Sequence, residues 1–191
     1  MSVARELRFR GYNTRRNLPP ASHRKRGEAN FLGAFVRSFL KRVEPPFVYG
    51  RHFAMPGCGI ADFILYQLSP ELGDPIGRTR GFLIAIETKL SDWRRALQQA
   101  YRYRYYADLA VVLLPRETGS RALACADLFQ RLGVALWTFD RLSGKIEQHV
   151  ALAQDGPLNP ARHDEALALI GRRIGNLRGG EELPQAFLER V

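Results

Sequence analysis

Hydrophobic positions along the chain follow two periods. From Glu28 to Val43, Phe31, Leu32, Phe35, Val36, Phe39 and Leu40 recur at helical spacing, and Glu44-Pro45-Pro46 closes the stretch. "FVYGRHFAMPGCGIADFILYQL" then reads as two short strands around a Pro-Gly turn, the second being "IADFILYQL". A polar loop, "SPELGDPIGRTRG", leads into the strand "FLIAIETKL". Ser91 can cap the next helix, with Asp92 in its first turn, and that helix runs to about Tyr106. "LAVVLLP" is wholly apolar, as a strand buried on both faces should be. A helix from about Ser120 to Leu132, the strand "GVALWTFD", a turn at "RLSG", the strand "KIEQHVALA" and a helix from about Pro160 to Leu177 complete the series. The order α-β-β-β-α-β-α-β-β-α predicts an α/β fold, a mixed sheet with helices on both faces in one three-layer domain. That domain is expected to span residues 27–191, behind an N-terminal arm of residues 1–26.

Composition narrows the classes. With 46% hydrophobic and 25% charged residues over 191 positions, the chain can bury a core and is not of the disordered type. Its two cysteines, Cys58 and Cys125, are far apart and lack metal-ligand spacing, which argues against a disulfide framework or a zinc knuckle. No apolar run approaches the roughly 20 residues that span a bilayer, and the first residues lack a signal-peptide core. A cytoplasmic protein with no membrane partner is expected.

The net charge of +10 is unevenly placed. Residues 1–26 hold Arg5, Arg8, Arg10, Arg15, Arg16, Arg24, Lys25 and Arg26 against Glu6 alone. A basic arm on a nearly balanced domain suits a polyanion, because each neutralised phosphate releases counterions. Nucleic acid is the expected partner, with Arg15, Arg16, Arg24, Lys25 and Arg26 as contacts. A solvated tail that binds nothing specific is the plain alternative.

The candidate chemistry lies on "FLIAIETKL". Residues two apart share a strand face, so Leu83, Ala85, Glu87 and Lys89 point one way and Phe82, Ile84, Ile86 and Thr88 the other. If this strand pairs with "GIADFILY" through the intervening loop, Asp62 can lie beside Glu87. Two close carboxylates repel, and a bound Mg²⁺ removes that penalty with ligands of the hard oxygen type it prefers. A neighbouring lysine can then orient or deprotonate a water, or stabilise charge on a phosphate. On the first helix, Glu28 falls in line with Leu32, Phe35 and Phe39, and a carboxylate on that stripe needs a cation or a hydrogen bond. On the later helix Gln99 and Tyr103 are one turn apart. Arg95, Arg102 and Tyr106 line the adjacent polar side, so that "YRYRYY" reads as a phosphate-facing surface interleaved with aromatics.

"GIADF", then "IAIETK", then a helix containing "QQAYRY" resembles the PD-(D/E)xK phosphodiesterase superfamily, which includes restriction endonucleases, repair nucleases and Holliday-junction resolvases. The resemblance covers roughly Glu28 to Pro115; Ala61 stands where the motif's proline would be. It implies a restriction endonuclease-like core and metal-dependent hydrolysis of phosphodiester bonds, in DNA. Asp62 and Glu87 would hold Mg²⁺, or Mn²⁺ in its place, with the carbonyl of Thr88 as a further ligand. Lys89 would position or activate the attacking water. Glu28 would hold the metal through water, and Gln99 with Tyr103, matching a Q-x-x-x-Y feature of some branches, would brace the lysine or a phosphate.

Each residue also has a plain structural role open to it. Glu87 and Lys89 can pair with each other, Glu28 can serve the helix dipole, and Gln99 and Tyr103 can simply pack. His23, His52, His149 and His163 form no ligand spacing and read as arm, surface or core, and Cys58 reads as a small turn residue. At the level of the whole protein, a non-catalytic nucleic-acid-binding or interaction module on the same scaffold is the alternative, followed by an RNA-associated basic protein. A homodimer or a recognition partner is compatible with a lone nuclease domain. Roles in repair, mobile-element maintenance or antiviral defence fit equally.

Overall fold

In the computed structural model, which describes residues 4–9, 23–68, 81–150 and 156–175, the apolar runs become one seven-stranded sheet. The strands are β1 (Ala4–Arg8), β2 (Phe47–Met55), β3 (Gly59–Leu68), β4 (Gly81–Thr88), β5 (Leu109–Pro115), β6 (Ala135–Phe139) and β7 (Ile146–Gln148), and they lie across the sheet in chain order. Pairing is parallel for β1–β2, β4–β5 and β5–β6 and antiparallel for β2–β3, β3–β4 and β6–β7. The helices are α1 (His23–Phe39), α2 (Trp93–Tyr103), α3 (Arg116–Leu123), α4 (Ala126–Leu132) and α5 (Pro160–Gly175). A single 3-10 turn, Leu40–Arg42, extends α1.

Strand alternation sorts the core into two slabs and makes the fold a three-layer α-β-α arrangement. On one face Phe31, Phe35 and Phe39 of α1 meet Phe63, Ile84, Ile86, Val111, Leu113, Trp137 and Phe139. On the other, Leu83, Ala85, Val112, Leu114 and Leu136 carry residues from α2, α3, α4 and α5. The α1 slab is aromatic: Phe35 stacks on Phe39 with ring centroids 5.1 Å apart and meets Phe139 edge-on at 5.7 Å. The opposite slab is lined with alanine, with Ala85, Ala96, Ala100 and Ala110 all fully buried. Small residues at that seam let α2 lie close to the sheet.

Several boundaries differ from the sequence reading. Ala4–Arg8, assigned to the basic arm, is an edge strand parallel to β2 with Leu7 buried beneath it. Its alternation was hidden because only one of its five side chains is a large apolar group. The helix α1 begins at His23, inside the expected arm, so Arg24, Lys25 and Arg26 lie in its first turns; their side chains fall outside the described residues. Arg15 and Arg16 also lie outside the described residues. The expected helix from Ser120 to Leu132 is two helices broken at Ala124–Cys125, with α3 starting directly from Pro115.

Substituting Phe35, fully buried between two aromatic rings, by Ala removes the centre of the α1 slab. Urea unfolding is expected to show a loss of about 3–5 kcal/mol, against under about 2 kcal/mol for Phe35→Leu.

Candidate active site

The β3–β4 ladder ends where apolar alternation stops. Phe63 opposite Ile86 is its last bridged pair, so Asp62 and Glu87 are the next cross-strand neighbours. Thr88 N donates to Asp62 Oδ2 at 2.9 Å and ties the two strand ends together. Glu87 continues the face of Leu83 and Ala85, lies beneath α2, and is 1% exposed. Lys89 Nζ donates to Glu87 Oε1 at 2.6 Å and to the Thr88 carbonyl at 3.0 Å. From α2, the Tyr103 hydroxyl sits 2.6 Å from both Glu87 Oε2 and the Ile60 carbonyl.

Helix α2 is fixed in place for this contact. Its cap is Asp92, whose carboxylate accepts from Arg95 N at 3.1 Å, rather than Ser91. Asp92 sits one residue before the first helical residue, which is where a side-chain oxygen can reach the free N–H groups. Trp93, Ala96, Leu97, Ala100 and Tyr103 form the buried face.

Burial pushes the Glu87 carboxyl up to about 7, and the charge of Asp62 adds to the shift; Lys89 and Tyr103 offset only part of it. Asp62 is also raised, by burial first, against the opposing pull of Lys89 and the Thr88 N–H. Burial works against charge on Lys89, but Glu87 outweighs it, helped by Asp62 and Glu28, and the ammonium is held above its ordinary value. Tyr103 is raised by burial and by Glu87 and stays neutral.

Counting protons gives the same picture. A hydroxyl carries one proton. With Glu87 ionised, Tyr103 can donate to Glu87 or to Ile60 but not to both, leaving one oxygen pair at 2.6 Å with no hydrogen between them. With Glu87 protonated, its Oε2–H donates to Tyr103 and Tyr103 donates to Ile60, and all three oxygens are satisfied. Two carboxyls thus share one ammonium, and a proton on Glu87 would supply the missing positive charge.

A divalent cation can supply that charge instead. Asp62, Glu87 and the Thr88 carbonyl form a set of hard oxygen donors of the kind Mg²⁺ takes. Among the described residues no three His, Cys, Asp or Glu side chains are grouped closely enough to hold a metal by themselves.

The other candidates divide by location. Glu28 is half-buried on α1, near enough to Lys89 for its charge to be felt there. It comes close because α1 abuts the end of β4: a methyl group on Gly27 would meet Leu90 Cδ1 at 3.0 Å. Gln99 is half-buried one turn before Tyr103, and its Oε1 is buried without a hydrogen-bond partner among the described residues; it makes no bond to Lys89. The Thr88 hydroxyl, on the α1 face, is likewise buried and unpartnered. Arg95 and Arg102 are exposed on α2. The "YRYRYY" surface is mostly core: α2 ends at Tyr103, Tyr106 is fully buried against Phe53 and Tyr103, and Arg104 turns inward to the Gly156 carbonyl at 3.2 Å. Of that run Arg102 and Tyr105 are exposed and Tyr101 is half-buried.

One neighbour was missed from sequence. The β2–β3 register sets His52 opposite Asp62, since Arg51 pairs with Phe63 and Phe53 with Ala61. A hairpin centred on Gly57 already implies that pairing, so the signal was present in the Pro56-Gly57 turn. Beyond the end of β4, Ser91, Trp93, Arg94, Arg121 and Cys125 line a cleft of about 380 Å³, with the Arg94 guanidinium 4.4 Å above the Trp93 ring. Comparison of the chain with protein-family models, with curated proteins and with solved structures finds no match.

Glu87 titrates near 4.5 when unperturbed and near 7 in the folded chain, so folding favours its protonated form. Stability from this group is fully present below pH 4.5 and is lost as pH rises through 7, by about 3 kcal/mol. Urea unfolding in metal-free buffer at pH 5 and pH 8 is expected to show this fall in the wild type. Glu87→Gln, which cannot ionise, should flatten it.

Proposed function

We propose that the chain is a metal-dependent nuclease that hydrolyses phosphodiester bonds in DNA, a member of the PD-(D/E)xK superfamily. The observation that carries this reading is the joining of Asp62, Glu87 and Lys89 at one end of β3 and β4, with positive charge still lacking. Asp62, Glu87 and the Thr88 carbonyl would hold Mg²⁺, or Mn²⁺. When bound, the ion would polarise the phosphate and lower the pKa of a water.

The side chains have separable roles. Lys89, kept protonated by Glu87, donates N–H bonds: it orients the water and a phosphate oxygen and leaves proton removal to other groups. Its side chain is 16% exposed. Tyr103 holds Glu87 in one orientation. Glu28 helps keep Lys89 charged and would hold a metal-bound water. Arg95 and Arg102, exposed on α2, offer the duplex a positive rim.

A binding module on the same scaffold would use that rim equally. It has no use for a buried and a half-buried carboxylate with raised pKa values, which only weaken the fold at neutral pH. No described helix is long and apolar enough to cross a membrane.

Labelled plasmid, linear duplex, single strand and four-way junction DNA, incubated with Mg²⁺, Mn²⁺ or EDTA, should be cut only with metal. Lys89→Ala and Asp62→Ala should each lower cleavage by about 10²-fold or more while salt-sensitive DNA binding persists. Cutting that survives both substitutions, or binding with no cutting by the wild type on any substrate, overturns the reading; the second result favours the binding module.

Because the metal site loads only when Glu87 has lost its proton, Mg²⁺ affinity is expected to rise about tenfold per pH unit below 7 and to level off above it. Calorimetric titration of Mg²⁺ from pH 5.5 to 8 measures this.

A further inference from the structure

The β2–β3 ladder keeps one register on both sides of a single break. Arg51 pairs with Phe63 and Phe53 with Ala61, but the intervening residues, His52 and Asp62, are not bridged. At the break His52 has φ of 56°, the only non-glycine positive φ among the described residues. L-residues disfavour that conformation because the Cβ crowds the backbone. Where such strain persists in a paired strand, the surrounding structure must hold it, and functional sites are where it concentrates.

The break has two consequences. It reverses the facing of β2: Phe47 packs in the α1 slab, whereas Phe53 and Met55, at the same parity, pack in the opposite slab. It also leaves the His52 imidazole exposed, with no hydrogen bond or ion pair to another described residue. Asp62 is the cross-strand neighbour of His52 in this register. Strand β3 lies between β2 and β4, so His52 flanks Asp62 on one side as Glu87 and Lys89 flank it on the other.

From this geometry we infer that His52 is a substrate-contacting residue whose ring N–H donates to a phosphate oxygen of the bound DNA, on the opposite side of the carboxylate pair from Lys89. The inference rests on the nuclease reading. A phosphodiester presents two non-bridging oxygens, and Lys89 can reach only from the β4 side. Carboxylates cannot approach those oxygens without a cation between them. An N–H donor on the β2 side completes a two-sided hold on the phosphate. The left-handed backbone is what turns this side chain out of the ladder and toward solvent.

The position allows a clean test, because glycine and asparagine tolerate its backbone better than most residues. His52→Gly and His52→Asn would be compared with wild type by thermal melting and by kcat/KM on the DNA that the wild type cuts fastest. His52→Gly is expected to melt at or above the wild-type temperature and to lose at least tenfold in kcat/KM. His52→Asn, whose amide still donates, should recover part of that loss. His52→Gly cutting within twofold of wild type overturns the inference and leaves the nuclease reading standing. So does a loss of activity in both variants that tracks a lowered melting temperature, since His52 would then be structural. No metal-dependent cutting by the wild type overturns both.

Discussion

The structure turns on a carboxyl group that has been taken out of water at the end of a strand. Glu87 is buried, and a buried carboxylate without partners would cost several kcal/mol. Its two oxygens are met from two directions, by Lys89 from its own strand and by Tyr103 from α2. Tyr103 in turn reaches the Ile60 carbonyl of β3, and Thr88 N reaches Asp62. Two strands and a helix are therefore locked in register by one polar group. Satisfied networks of this kind specify an arrangement beyond their share of stability, because every displaced member leaves an unpaired partner.

The unequal faces of the sheet make that lock possible. Phenylalanine fills the α1 side, which holds its helix off at the distance aromatic rings require. Alanine fills much of the α2 side, where Ala85 and Ala110 of the sheet meet Ala96 and Ala100 of the helix. A close-lying α2 brings a tyrosine hydroxyl down to the strand ends, where it meets both the Ile60 carbonyl and Glu87. The aromatic side stabilises, and the thin side carries the polar chemistry.

Much of this was legible in the residues. Period-two alternation in "FLIAIETKL" placed Glu87 with Leu83 and Ala85, and the cores divide along that parity. The apolar runs became strands and the fold class followed from their order with the helices. What stayed hidden depended on non-local facts. Ala4–Arg8 has the composition of a solvated tail and becomes a strand only because β2 offers it a parallel edge. The inward turn of Arg104 and Tyr106 depends on Gly156 and Phe53, which no helical projection contains. The break in α3–α4 carries no glycine or proline to announce it. The left-handed conformation at His52 is a backbone property, and the identity of the residue only permits it.

Lys89 and Tyr103, which hydrogen-bond Glu87, together with His52 and Asp62, come from the stretch between the start of β2 and the end of α2. With Glu28 of α1, the chemistry is thus carried by three strands and two helices that are consecutive in the chain, and β5 to α5 serve as their support. Such a unit is portable. Insertion or loss among the elements after β5 would alter how well the sheet is covered, whereas β5, which pairs with β4 at Glu87 and Thr88, has to stay for Asp62, Glu87, Lys89 and Tyr103 to meet.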